Sequence, residues 1–226
     1  MKKELIFVCL LLTAVLVLAG CSGNKELLEP ICYKWFGKGK VEQSDNFMSL
    51  TLSVDNQIIH TSRCLGLYKA CGKSWKTKEE VPWFYRDYDE LSAQLLKGLD
   101  NDYEEIRNEI RKRYPNKRFS HMLDYLALER FSYQSQNTDI KESFVTSQTL
   151  VSIQTPVVQT PDGLWEIDKN HRFFLDDIYY GNCIAKWMAE QLDIQTPVIN
   201  EILHWAQKIR NEKTVFIFFI INNKII

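Results

Sequence analysis

The chain has 226 residues, of which 45% are hydrophobic and 25% are charged, and these proportions are typical of a globular protein rather than a disordered one. Its 28 Lys and Arg residues balance 29 Asp and Glu residues, so it lacks the basic excess that draws proteins to nucleic acids, and no nucleic-acid partner is expected. The length predicts one domain, or two at most.

The first twenty residues have the composition of a secretory signal, with a basic start and an apolar run from Leu5 to Leu18. Residues 16–21, LVLAGC, resemble the lipobox of bacterial lipoproteins, in which the cysteine is lipidated. We therefore expect a signal peptide at 1–20, a lipidated Cys21 that holds an exported protein on a membrane of the cell envelope, and a tether and linker at 21–40. The alternative is an uncleaved anchor, although the run is shorter than the ~20 residues that span a bilayer.

The remaining cysteines and the histidines show no metal-binding spacing, since there is no C-x-x-C and no cluster of the two residue types. We expect no metal site. In an exported protein four cysteines can pair in three ways, and the alternative is that all four are small buried residues. The residues concerned are Cys32, Cys64, Cys71 and Cys183, with His60, His121, His171 and His204.

Apolar periodicity predicts helices through most of the chain. One helix is predicted over Ser44–His60, with Phe47 on its buried face, and another pattern runs from Asp89 to Tyr114 with Gly98 as a candidate junction between two helical blocks. The second pattern has a charged face that includes Arg107. Ser120 is a plausible N-cap for a helix through Leu128, and Thr138–Thr149 is ambiguous.

The last third contains one break and two further helices. Pro161-Asp162-Gly163 is a turn signal, which predicts a loop or hairpin over 156–172. A helix over Gly181–Leu192 is expected to bury Trp187, and the hydroxyl of Thr196 is expected to cap a helix that opens at Pro197. The fold class is therefore an all-α, multi-helix domain at 41–212, followed by an apolar tail of unknown role at 213–226.

Glycine motifs of common nucleotide sites are missing from the sequence. The single G-x-G, at residues 37–39, has Glu42 where a dinucleotide fingerprint needs a small residue, and no strand-helix-strand pattern surrounds it. There is no G-x-x-x-x-G-K-[ST] loop and no G-x-S-x-G elbow.

Two segments carry candidate chemistry. His60 is expected to end an amphipathic helix, and residues 171–181 set Arg172 beside the carboxylates Asp176 and Asp177. A histidine becomes a useful proton shuttle when a carboxylate fixes its tautomer, and an arginine can clamp a substrate carboxylate, so together they would form an acid-base site for a small anionic substrate. The alternative is structural, because histidines at helix ends and acidic residues before a helix also stabilise helix dipoles.

Three segments resemble the alpha-helical C-terminal domain of the octopine/nopaline (opine) dehydrogenase family. They are LSVDNQIIHTSRCLGLY, VPWFYRDYDELSAQLLKGLDNDYEEIRNEI and RFFLDDIYYGNCIAKWMAEQLDIQTPVINEILHWAQKI. The family pattern of an Asn before a His, an Arg followed by an acidic pair and a Gly, and a Thr-Pro helix start is matched, in order, by Asn56, His60, Arg172, Asp176, Asp177, Gly181 and Thr196-Pro197.

The resemblance implies an all-α fold like the C-terminal domain of 6-phosphogluconate dehydrogenase. It implies a reaction that joins an amino acid to a 2-oxo acid and reduces the imine with NAD or NADP as cofactor. His60 would be the proton donor and acceptor, Asp177 would orient it, and Arg172, with Asn56 and Asp176 as further candidates, would bind substrate. Thr61 replaces a proline that commonly follows the family histidine.

The family's Rossmann domain precedes the helical domain, whereas here residues 24–44 offer at most its last helix or linker. We therefore expect the chain to be inactive alone and to work with a separate Rossmann domain or as part of a longer gene product, with a homo-oligomer as a further candidate assembly. The alternatives are a membrane-anchored lipoprotein that binds an amino acid or oxo acid without catalysis, and a degenerate fragment.

Overall fold

The computed structural model of the chain describes Pro30, residues 33–35 and residues 44–210. The predictions for the signal peptide, Cys21, Cys32, residues 37–39 and the tail at 213–226 lie outside the described residues. The elements between residues 44 and 210, in chain order, are α1 (Phe47–Thr51), α2 (Asn56–Cys71), β1 (Ser74–Trp75), α3 (Glu90–Arg113), α4 (Tyr125–Tyr133), α5 (Ile140–Val145), β2 (Val157–Gln159), β3 (Trp165–Ile167), α6 (Arg172–Asp176), a π-helix (Asp177–Asn182), α7 (Cys183–Leu192) and α8 (Pro197–Arg210).

Helices dominate these residues, so the predicted all-α class is confirmed, with one small sheet added. No helix among the described residues is long and apolar enough to cross a membrane. The described residues divide into two compact units: one comprises 44–54 and 110–123, and the other comprises 55–109 and 124–210.

The first unit contains α1, and hydrogen bonds from side chains to backbone groups connect its segments. The Asn46 side chain accepts a hydrogen bond from the Ser49 N–H at 3.0 Å and donates one to the carbonyl of Arg118 at 2.6 Å. The Ser120 N–H donates to Asp45 at 2.8 Å. The prediction that Ser120 caps a helix is wrong, because the helix that follows begins only at Tyr125. Phe47, predicted on a buried face, is 53% exposed.

The predicted continuous helix from Ser44 to His60 is wrong, because the chain leaves helical geometry between α1 and α2. The second unit is built around α2, in which every residue from Ile58 to Leu67 is buried. Such a helix has no solvent face, and an amphipathic pattern therefore describes it poorly. His60 lies in the second turn of this helix and does not end it.

Helix α3 is a single 24-residue helix, without a junction at Gly98. A Cβ on Gly98 would lie 2.9 Å from a methyl of Val198, so the glycine is needed for close packing against α8. Arg107, predicted on the solvent face, is fully buried and bonded to Asp100 and Glu104 at 2.7 and 2.6 Å. Its charge is therefore neutralised inside the protein.

Helix α8 begins at Pro197, as predicted, but its cap is a different residue. Asp102 accepts hydrogen bonds from the N–H groups of Val198 and Ile199, both at 2.8 Å, whereas the buried hydroxyl of Thr196 has no partner. A carboxylate from α3 thus satisfies two of the free N–H groups of the first turn. Burial is the main cause that raises the pKa of Asp102, and these bonds oppose it.

The predicted hairpin is confirmed. β2 pairs with β3, and β1 pairs with the other edge of β3, which gives an antiparallel order β1-β3-β2. Gly163 closes the turn with φ of 86°, a conformation that costs glycine little. Asp124, and not Ser120, caps α4 through the Ala127 N–H. The stretch that the sequence left ambiguous contains α5.

Helix α7 buries small residues instead of the large ones predicted. Trp187 is 42% exposed, whereas Cys183, Ala185 and Ala189 are buried. Cys64, Cys71 and Cys183 are free thiols, so none of these three is paired with another. Burial raises the pKa of Cys64 above its usual range and that of Cys183 to about 12, which makes both thiols poor nucleophiles.

Candidate active site

The structure joins two of the predicted site residues, which lie 117 positions apart in the sequence. Nδ1 of His60 is 2.7 Å from a carboxylate oxygen of Asp177. His60 is 2% exposed, and the Asp177 side chain is 12% exposed. A carboxylate can only accept here, so Nδ1 carries the proton and the lone pair of the neutral ring is on Nε2. This is the arrangement that a proton-transferring histidine requires.

The other ring nitrogen is also bonded. The hydroxyl of Tyr85, which the sequence analysis did not single out, lies 2.9 Å from Nε2 of His60. Phe173 stacks on the imidazole with ring centroids 3.6 Å apart, and Phe84 lies 5.8 Å away. These contacts hold the ring in one orientation. Burial is the main reason that the pKa of Tyr85 is raised well above its usual value, so Tyr85 is a neutral phenol that donates to Nε2.

The π-helix places Asp177 beside His60. A Cβ on Gly181 would lie 2.5 Å from Cβ of Gln57, so only glycine allows the π-helix to approach α2 this closely. The buried amide of Asn182 donates to the carbonyls of Gln57 and Asp177 at 3.1 and 3.2 Å. Such wide helical turns are frequent at functional sites, and here the turn starts at Asp177 itself.

The segment that carries Tyr85 is held by Arg63, which is buried in α2. The guanidinium donates to the carbonyls of Phe84, Trp83 and Asp87 at 2.8, 3.1 and 2.8 Å. Its remaining donors bond to Asp89 at 2.6 Å and to Ser92 at 3.2 Å. All five N–H groups of the arginine are therefore satisfied within the protein.

The other predicted site residues, Arg172, Asp176 and Asn56, differ in how close they lie to the His60–Asp177 pair. Arg172 is exposed at the start of α6, with its guanidinium 5.8 Å from the ring centroid of Phe173, and its charge tends to lower the pKa of Tyr85. Asp176 is exposed at the end of α6. Asn56 is half-buried in the first turn of α2, and no hydrogen bond of the described residues joins it to His60 or Asp177. Arg172 thus lies against the ring that covers the histidine, whereas no hydrogen bond among the described residues joins the side chains of Asp176 and Asn56 to the pair.

Asp55 influences the pair electrostatically, and Glu129 is in turn influenced by Asp55. Burial is the main cause that raises the pKa of Asp55, the residue before α2; the charge of Asp177 adds to this effect and that of His60 opposes it. Burial, aided by the charge of Asp55, raises the pKa of Glu129 to about 7. A local pattern could not have identified either residue, because their effect depends on distant neighbours. Among residues 44–210 and the short stretch before them, no group of three or more His, Cys, Asp or Glu side chains could hold a metal ion.

Comparison with solved structures identifies the fold. Octopine dehydrogenase bound to NADH and L-arginine superposes with a TM-score of 0.69 over 82% of this chain and 46% of its own, at 20% sequence identity. The same enzyme with NADH and pyruvate gives a TM-score of 0.65 over 80% of this chain. At this identity the likeness establishes the fold alone.

The family follows from the sequence match. The profile of the "NAD/NADP octopine/nopaline dehydrogenase, alpha-helical domain" family matches residues 43–210, and the chain belongs to this family. Opine dehydrogenase of Haliotis discus hannai is 26% identical over 171 residues, which are 74% of this chain and 41% of that protein. Tauropine dehydrogenase of Arabella iricolor is 22% identical over 77% of this chain and 44% of its own length. The chain thus spans less than half the length of these relatives.

Proposed function

We propose that this chain provides the substrate-binding and proton-transferring half of an NAD(P)-dependent opine dehydrogenase-type oxidoreductase, which joins an amino acid to a 2-oxo acid. The observation that carries this proposal is the buried Asp177–His60 pair, in which the carboxylate sets the tautomer of the imidazole. The stacked ring of Phe173 and the phenol of Tyr85 hold the imidazole in one orientation against Asp177.

Each site residue has a role in this proposal. His60 gives and takes the proton, and Asp177 balances the charge of the imidazolium that forms. Arg172, exposed beside the aromatic ring that stacks on His60, binds the carboxylate of the substrate through two parallel hydrogen bonds. Asp176 and Asn56 are proposed only as outer residues of the substrate pocket.

The cofactor requires a separate structural unit in this proposal. A dinucleotide site is built on parallel strands with a glycine-rich turn before a helix. The three strands within residues 44–210 form an antiparallel sheet, so the described part of the chain does not fit NAD or NADP. We therefore propose that a Rossmann domain, covalently attached or from a partner, holds the cofactor, and that residues 44–210 alone do not transfer hydride.

Calorimetry tests substrate binding without any cofactor. The full chain is titrated with pyruvate and with a panel of amino acids, and binding of pyruvate is expected. Arg172→Ala should weaken pyruvate binding at least ~10-fold, because a charge-assisted hydrogen bond contributes about 1.5–3 kcal/mol. Arg130→Ala, which removes an exposed arginine from α4, is the matched control and should change affinity less than ~2-fold. Absence of binding by the wild-type chain, or equal binding by Arg172→Ala, would contradict the proposal.

We also propose, from the sequence of residues 1–21, that the protein is anchored in the cell envelope by a lipid on Cys21. Metabolic labelling with a radioactive fatty acid should mark the protein in a bacterial host, and Cys21→Ser should abolish the label. The proposal fails if the wild-type protein stays unlabelled.

A further inference from the structure

The charges of the chain are nearly balanced overall, but they are divided unequally between the two compact units. In the described part of the first unit, residues 44–54 and 110–123, five Lys and Arg residues accompany a single carboxylate, Asp45. In residues 55–109 and 124–210, by contrast, acidic residues outnumber Lys and Arg residues by 23 to 15. Such an asymmetry between two parts of one chain indicates a charged partner.

The positive charges of the first unit lie in one short segment, residues 111–118, with the sequence RKRYPNKR. Four of these residues are exposed and form a basic surface: Lys112, Arg113, Lys117 and Arg118. Basic residues in the last turn of a helix also stabilise the helix dipole, and this alone would explain Arg113. Helix α3 ends at Arg113, however, so the dipole does not explain Lys117 and Arg118.

An exposed aromatic ring lies in the middle of the basic surface. Tyr114 follows α3 and is 55% exposed. The N–H of Lys117 donates to the carbonyl of Tyr114 at 3.0 Å, so the chain turns at this point and keeps the later cations near the ring. Tyrosine is enriched where an apolar phase meets water, and particularly at the headgroup level of membranes. An exposed tyrosine among cations therefore suits an anionic lipid surface.

The basic surface also lies beside the point at which the chain enters the first unit. The Asn46 side chain donates to the carbonyl of Arg118 at 2.6 Å. Its neighbour Asp45 accepts a hydrogen bond from the N–H of Ser120 at 2.8 Å. A lipid on Cys21 would therefore be followed along the chain by a segment that is bonded directly to the basic surface.

We propose that the basic surface docks the protein onto the anionic phospholipid headgroups of the membrane in which its lipid anchor lies. This inference rests on the proposed anchor at Cys21, because a lipid chain and a polybasic patch are two signals that together give stable membrane attachment. Each Lys or Arg close to an anionic surface strengthens binding about 5-fold. The same lipids repel the acidic excess of the second unit, which favours contact through the first.

Vesicle flotation tests the basic surface in a chain that cannot be lipidated. The full chain with Cys21→Ser is mixed with vesicles of phosphatidylcholine, either pure or containing about 30% phosphatidylglycerol as the anionic lipid. The apolar run at 5–18 contributes to both vesicle types alike, so the ratio of the two affinities reports the charges. We expect a preference of at least ~100-fold for the anionic vesicles at about 50 mM salt, and a smaller one at about 500 mM because salt screens exposed charges.

Neutralising three of the four cations should remove most of this preference. The variant Lys112→Gln/Lys117→Gln/Arg118→Gln, in the same Cys21→Ser chain, is expected to lower the preference for anionic vesicles at least ~20-fold. All three side chains are exposed, so the fold should be kept, and circular dichroism checks this.

The matched control removes three exposed lysines from the second unit instead. It combines Lys73→Gln, Lys76→Gln and Lys97→Gln. The control loses the same net charge, so it should change the preference less than ~3-fold only if the position of the charges matters.

The outcomes separate this inference from the proposed anchor. Equal losses in the two triple variants, or no preference for anionic vesicles in the Cys21→Ser chain, overturn the inference and leave the anchor standing. A retained preference in a protein that takes no lipid label at Cys21 supports the basic surface and removes the anchor alone. Tighter binding of a short single-stranded DNA than of the anionic vesicles would overturn the assignment to a lipid surface.

Discussion

His60→Gln should lower turnover at least ~100-fold when the chain is assayed with an added nucleotide-binding domain, NADH, pyruvate and an amino acid. Glutamine is close to histidine in size and can still bond to Asp177, but it cannot hold and release a proton near neutral pH. Loss of general acid-base catalysis commonly costs 10²- to 10⁴-fold in rate, and this variant tests that loss with little change in packing. The decrease in NADH absorbance measures the rate, and circular dichroism checks that the variant is folded.

Two controls separate chemistry from a general effect of substitution. His204→Gln changes an exposed histidine of α8 and should leave turnover within ~2-fold. Asp177→Asn should lose activity as His60→Gln does, because an amide cannot balance the charge of an imidazolium, whereas Asp193→Asn, at the exposed end of α7, should not. If His60→Gln keeps wild-type activity, the imidazole has no part in the reaction.

The sequence predicted the elements whose burial follows a simple period. Helix α8 begins at the predicted Pro197 and the hairpin of β2 and β3 lies within the predicted range 156–172, because a Thr-Pro start and a Pro-Asp-Gly turn are local signals. Hydrophobic periodicity predicted the wrong buried residues where a helix packs closely on several sides. In α7 small residues face the protein and Trp187 faces solvent, since only small side chains fit between closely packed helices.

The buried charged residues were the features least predictable from the sequence. Arg107 lies among charged residues whose spacing predicts a solvent face of the helix. The structure instead buries Arg107 fully and pairs it with Asp100 and Glu104. Arg63 is likewise buried, and most of its partners are backbone carbonyls. Every residue has a backbone carbonyl, so the sequence does not show which ones bond to an arginine. A charge buried in this way is recognised only when its partners are placed around it.

The contact between His60 and Asp177 was predicted by resemblance and not by spacing. His60 and Asp177 come from helical segments more than a hundred positions apart, and only the order of family motifs linked them. Tyr85 was missed because its role depends on the arrangement of the whole segment from 83 to 89 around Arg63. The one local clue was Gly181, whose lack of a side chain permits the contact with Gln57.

Arg63→Leu is expected to lower the free energy of unfolding by about 3–5 kcal/mol, because it removes all five hydrogen bonds of a buried guanidinium, each of which contributes roughly 1 kcal/mol. Leucine fills part of the space but leaves the carbonyls of Trp83, Phe84 and Asp87 without donors, and each such buried group costs free energy. Urea unfolding of the full chain measures this change. For a protein of this size a loss of ~4 kcal/mol corresponds to a fall in Tm of roughly 10 °C.

Arg86→Ala is the matched control, because Arg86 lies in the same segment but is exposed. It stacks on Trp83 at 4.1 Å and lies 3.8 Å from Asp87, contacts that contribute about 1 kcal/mol or less at a surface. The distinguishing result is local: in Arg63→Leu the Nε2 resonance of His60 should also shift, since Tyr85 loses the backbone support that holds it against the imidazole. Equal, small effects of the two substitutions would mean that the segment is held by its aromatic packing, and that Arg63 does not position Tyr85.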